Sequence, residues 1–147
     1  MSQSVSYGLL MLVAGIGIPV MATLNARLGV AYGNVAMAAS ILFCVALLCS
    51  VATLFVIGLP ENKTTSLPYY YYLGGALVAF YVLSITYVAP TFGVANAVFF
   101  VLLGQIIASV LIDHFGLFGM TQTSLSFQRI LGVVFMVVGI ILARKTI

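Results

Sequence analysis

From Val35 to Leu59, and again from Tyr70 to Ile112, the chain carries no charged side chain. Runs of this length and polarity leave few options for folding. A helix needs about 20 apolar residues at 1.5 Å each to cross a bilayer. Lipid cannot satisfy an open backbone, so only helices and closed barrels cross it. The runs lack the residue-by-residue alternation of barrel strands, which leaves helices. Only 5% of all residues are charged, against about 25% in soluble domains. Lipid or partner protein must therefore replace water over most of the surface.

Five apolar stretches emerge: about Val5 to Leu24, Val35 to Leu59, Tyr70 to Val88, Thr91 to Ile112, and Ile130 to Ala143. The last is short unless it starts before Arg129. The expected fold class is all-α, a polytopic membrane protein with one five-helix transmembrane domain over residues 1–147. The first stretch lacks a basic start and reads as a retained span, not a processed leader. The breaks are "NARLGVAYGN", "GLPENKTTSLP", "APTFG" and "DHFGLFGMTQTSLSFQR". Pro90 lacks an amide hydrogen and disfavours helix at Ala89, so a break is expected there.

Several function classes fall away. Five basic residues among 147 are too few for a nucleic-acid patch. Cys44 and Cys49 lie inside an apolar run with no histidine beside them, and read as small buried hydrophobes. His114 and Asp113 are adjacent and point apart on a helix, so they form no ready acid–base pair. No metal-ligand cluster and no phosphate-cradling loop is present in the sequence. The chain is not expected to be an enzyme or to hold a cofactor.

Small residues recur at helical spacing. Gly8, Gly15, Ala22 and Gly29 form a heptad stripe on the first span, Gly132 and Gly139 repeat it on the last, and Gly104 and Ala108 make a shorter step. Such stripes let helices approach closely, within a subunit or across a dimer seam. Polar residues inside the runs are the candidates for a cavity. Gln105, Ser109 and Asp113 share one side of the fourth span by i, i+4, i+8 spacing. Asn96 lies about half a turn away from Gln105 around that helix. Asn25, near the end of the first span, either bridges helices or meets substrate. Tyr72 belongs to "YYYY", which reads as an interfacial belt or as a ring platform for a ligand. Arg27, Asp113, His114 and Arg129 mark membrane edges.

The stretches "FGVANAVFFVLLGQIIASVLIDHFGLFG" and "SFQRILGVVFMVVGIIL" resemble the bacterial YdcZ-type family of the drug/metabolite transporter superfamily. "VMATLNARLG" and "YYLGGALVAFYVLS" extend the likeness over nearly the whole chain. Asn25, Arg27, Gly29, Gly104, Gln105, the segment Asp113–Gly116 and Arg129 match the family's pattern. The glutamine that members often carry shortly before Asn25 is absent; only apolar residues and Thr23 stand there. The resemblance implies a five-helix protein of the bacterial inner membrane. Larger relatives carry two five-helix repeats. An odd helix count inverts the second repeat, so a single copy would rebuild that plan as an antiparallel homodimer, or with a partner of similar size. A transporter subunit for a neutral or amphiphilic small molecule is the expected function. A non-transporting accessory membrane subunit is the alternative.

Basic residues decide orientation only narrowly. Lys63 and Arg129 share one side; Arg27, Arg144 and Lys145 share the other. A near tie predicts insertion in both orientations. Two lysines added after Lys63 should draw that side to the cytoplasm, as read by cysteine labelling from each face. A single fixed orientation of the wild type would contradict dual insertion.

Overall fold

The structure, a computed structural model, describes residues 3–59, 67–124 and 126–143. Pro60, Glu61, Lys63, Arg144 and Lys145 lie outside the described residues. Five α-helices stand among those described: α1 (Gln3–Tyr32), α2 (Val35–Ile57), α3 (Gly74–Phe92), α4 (Val94–Phe115) and α5 (Phe127–Ala143). The first four candidate spans, counting the 3-10 turn before α3, are long and apolar enough to cross a membrane. At 17 residues, α5 is a shorter apolar helix. The chain divides into two compact units, Met1–Thr91 and Phe92–Ile147.

The helices overrun most of the breaks expected from sequence. α1 continues eight residues past Leu24 and takes in Asn25, Arg27 and Gly29. Nothing in "NARLGVAY" forbids helix, and Asn25 uses its side chain on another helix instead of stopping its own. The true break is Gly33 and Asn34. Gly33 has φ of +61°, the left-handed conformation that glycine takes without steric penalty. Asn34 then caps α2, its Oδ1 accepting the Met37 N–H at 3.0 Å.

Pro90 also fails to end its helix, and α3 runs on to Phe92. A proline in the last turn removes only one bond, at the place where the helix is ending anyway. The break is Gly93 alone, with φ of +88°. At its start, α3 is preceded by a 3-10 turn over Tyr69–Leu73, so the tyrosine run is not part of the α-helix. α4 reaches Phe115 and carries Asp113 and His114 in its last turn; left-handed Gly116 closes it, donating its N–H to the Ile112 carbonyl. α5 does start before Arg129, with the Ser126 hydroxyl accepting the Arg129 N–H at 3.2 Å.

The first unit is built on small residues. Ala22, Asn25, Ala26 and Gly29 of α1 are buried, at positions i, i+3, i+4 and i+7. Ala38 and Ala39 of α2 are buried, as are Val82, Ile85, Thr86 and Ala89 of α3. The burial pattern at residues 22, 25, 26 and 29 thus recurs at 82, 85, 86 and 89, each set followed four residues on by a positive-φ glycine. Most large apolar side chains point outward, as expected where lipid is the solvent. Cys44 and Cys49 correct the buried reading: both are exposed and free. Of the small-residue stripe, Ala22 and Gly29 pack inside the unit, whereas Gly8 and Gly15 have open space around them.

Gly29 is the tightest point. A Cβ there would lie 3.0 Å from Thr86 Cγ2 and 3.8 Å from Ala38 Cβ. Gly29→Leu should therefore lower stability by about 1–3 kcal/mol. Gly8→Leu, facing open space, should change it by less than about 0.5 kcal/mol. Denaturant titration of both variants in the same detergent measures the difference.

Candidate functional site

Two buried polar side chains of the first unit form an inter-helix pair. Asn25, 3% exposed, sits on α1, and Thr86, 1% exposed, sits on α3. The Asn25 Nδ2 donates to Thr86 Oγ1 at 2.5 Å. Gly29, one turn along α1, lets the Thr86 methyl come close enough for that bond to form. Neither residue is charged, so the pair tolerates a low dielectric without a change of ionisation. Thr86 is a site residue that sequence reading missed. The burial pattern places it: Thr86 occupies in Val82–Ala89 the place that Ala26 occupies in Ala22–Gly29.

Asn25 also faces a hollow of about 450 Å³ between α1 and α2. Met21, Leu24 and Leu28 line it from α1, and Ile41, Leu42 and Val45 from α2. Among the described residues, Asn25 is the only polar one in that wall. It stands at the junction of two α1 faces, one packed against neighbours and one open to the hollow. Small-molecule sites have this character, mostly apolar walls with one or two polar groups that fix orientation. Leu24, Arg27, Leu28, Val30 and Ala31 border an open, shallow depression along α1 itself.

The other candidates are placed as follows. Asn96 is buried near the start of α4, and its Nδ2 donates to the Phe92 carbonyl at 3.0 Å. That bond stays within one turn of backbone. Gln105 is exposed on α4, and the Ser109 hydroxyl turns back to the carbonyls of Gln105 and Ile106. Ser109 therefore satisfies its own helix. Asp113, on the same side of α4 by spacing, has its own partner: its carboxylate takes the Arg129 guanidinium at 2.5 Å, linking the end of α4 to the start of α5. The connecting segment folds back on the same end. Thr123 N–H donates to the Asp113 carbonyl at 2.8 Å, and Gln122 Nε2 to the His114 carbonyl at 3.0 Å. His114 Nδ1 is buried without a hydrogen-bond partner. Tyr72 is 73% exposed in the 3-10 turn. A Cβ at Gly104, Gly132 or Gly139 would meet nothing within 4 Å, and Ala108 is exposed. Among the described residues, no group of three or more His, Cys, Asp or Glu could hold a metal ion.

The sequence model of one family, described as "Putative inner membrane exporter, YdcZ", matches residues 6–142. No curated protein and no solved structure matches the chain.

The Asn25–Thr86 pair makes an asymmetric prediction. Asn25→Leu or Thr86→Val alone leaves one buried polar group unsatisfied, at a cost of about 1–3 kcal/mol. The double variant should recover part of that loss. A membrane hydrogen bond averages only ~0.6 kcal/mol in such cycles, so the coupling should be of that order. Unfolding of the four proteins in matched detergent gives the cycle directly.

Proposed function

The chain belongs to the YdcZ family of the drug/metabolite transporter superfamily, and on that premise we propose that it is a subunit of a small-molecule transporter in the bacterial inner membrane. The observation that carries the reading is Asn25. A buried, uncharged amide within a membrane helix opens into an apolar hollow of small-molecule size. Polar side chains inside membrane helices are costly and are often functional. A neutral or amphiphilic molecule suits a wall with one amide and no carboxylate. Asn25 is the substrate contact of the first unit in this proposal; Gln105 and Asn96 on α4 are proposed separately as hydrogen-bonding groups of the second unit.

The working unit is an antiparallel homodimer of five-span subunits, with α5 as the fifth span. Support comes from the near tie in flanking basic residues and from Gly8, Gly15, Gly132 and Gly139, whose open faces would admit a second copy closely. The accessory-subunit reading has one observation in its favour: the Asn25 amide is already engaged by Thr86. A packing role would need nothing more.

The two readings separate on flux. The purified protein in vesicles should raise the permeation of at least one small neutral or amphiphilic solute, followed by osmotic light scattering across a solute panel. Asn25→Leu should lower that flux about tenfold or more while dimer assembly persists; a lost hydrogen bond to a bound solute is of that order. Vesicles that stay as tight as protein-free ones across the panel would favour the accessory reading.

A further inference from the structure

The end of α4 is closed by the chain itself. A helix that ends in water leaves its last carbonyls to solvent. Here Gly116 N–H donates to the Ile112 carbonyl, Thr123 N–H to the Asp113 carbonyl, and the Gln122 amide to the His114 carbonyl. Polar side chains of the connecting segment are spent in the same way. Thr123 Oγ1 donates to the Thr121 carbonyl, and Ser126 Oγ accepts the Arg129 N–H. Asp113 and Arg129 cancel each other's charge. The segment is drawn tight against the helix end: a Cβ on Gly116 would lie 3.3 Å from both Gln122 Cβ and the Met120 carbonyl oxygen. Polar groups satisfied this fully suit a place where water is scarce.

The apolar side chains of the same segment are uncovered. Phe115, Leu117, Phe118, Met120 and Phe127 are all exposed, Phe127 at 77%. Phe118 has φ of +57° and is, among the described residues, the one non-glycine residue in the left-handed region. That conformation is uncommon for a bulky side chain and costs energy, so the surrounding turn imposes it. A loop built for water has the reverse pattern, with polar side chains outward. Depth agrees with this reading. α4 has 22 residues, about 33 Å of helix, against a hydrocarbon core of about 30 Å. Phe115 therefore stands at the boundary between acyl chains and headgroups. Exposed Leu111, four residues earlier on the same side, carries the lipid-facing surface of α4 up to it.

We infer that the turn Leu117–Met120, with Phe115 and Phe127 beside it, is an interfacial anchor seated in the headgroup–acyl boundary of the bilayer. Its partner is lipid, because the uncovered side chains continue the lipid-facing surface of a spanning helix. The anchor fixes the depth at which α4 ends and α5 begins. The inference requires α4 to cross the membrane and is independent of whether the chain transports a solute.

The chain contains no tryptophan, so Met120→Trp places a single reporter on the turn. The full chain is reconstituted in phosphatidylcholine vesicles. Lipid brominated near the headgroup end of its acyl chains should quench the emission by about half, as suits a ring about 5–10 Å into the boundary. Lipid brominated at the chain ends should quench less. Iodide, supplied on both sides of the vesicle, should quench far less than it quenches free tryptophan. Phe127→Trp, at the start of α5, gives a second reporter with the same expected result if the Met120 variant fails to fold. Strong iodide quenching without quenching by brominated lipid would show a turn in water and overturn the inference. Protection from both quenchers would show a turn covered by protein, a second copy included, and would overturn it equally. Neither result bears on solute flux, which stands or falls by the vesicle permeation measurement.

Discussion

The close approach of α1 and α3 at Gly29 is the contact on which the first unit depends. Helices in lipid gain nothing from hiding apolar surface from one another, because lipid tails are equally apolar. Association has to come from packing at short range and from hydrogen bonds. Gly29 supplies the first by leaving 3.0 Å between its absent Cβ and the Thr86 methyl. Asn25, one turn earlier, supplies the second through Thr86 Oγ1. Each requires the other: a larger residue at 29 would push Thr86 beyond the reach of Asn25. Ala22, Ala26, Ala38 and Ala89 extend the same small-residue seam above and below.

That seam also explains why a hollow exists beside it. Near the start of α2, Val35 and Ala38 come close to Gly29 of α1, and Ala38 and Ala39 are buried. Further along α2, Ile41, Leu42 and Val45 face Met21, Leu24 and Leu28 across open space. Small residues at one end and larger ones at the other leave space between the two helices. Asn25 stands where the closed and open regions meet, so one residue both fastens α1 to α3 and presents polarity to the hollow. Stability and recognition draw on the same amide.

How far this was legible in the sequence differs from residue to residue. The helical membrane class followed from charge-free runs, because no other structure satisfies the backbone in lipid. Helix ends are harder to read, because polar residues and proline do not break these helices: Asn25, Arg27 and Gly29 lie within α1, and Pro90 within α3. Composition cannot distinguish an asparagine that ends a helix from one that bonds to a distant helix; only its partner decides. Thr86 went unnoticed because threonine is unremarkable in a membrane helix until its neighbour is known. Asp113 was assigned to a row with Gln105 and Ser109 by spacing, yet its charge is taken by Arg129, sixteen residues on. Gln105, the most conspicuous polar residue of the fourth run, lies exposed on α4.

The pairing of Asn25 with Thr86 can be observed without a ligand or an assembly assay. Side-chain amide protons of asparagine are resolved by nitrogen-15 labelling, and Asn34 provides an internal reference, since it is exposed at the start of α2. A buried, bonded amide exchanges with deuterium far more slowly than an exposed one. The expected result is slow exchange at Asn25, fast exchange at Asn34, and acceleration at Asn25 alone when Thr86 becomes valine. Equal exchange at the two asparagines in the wild type would contradict the bond on which the three-helix unit is built.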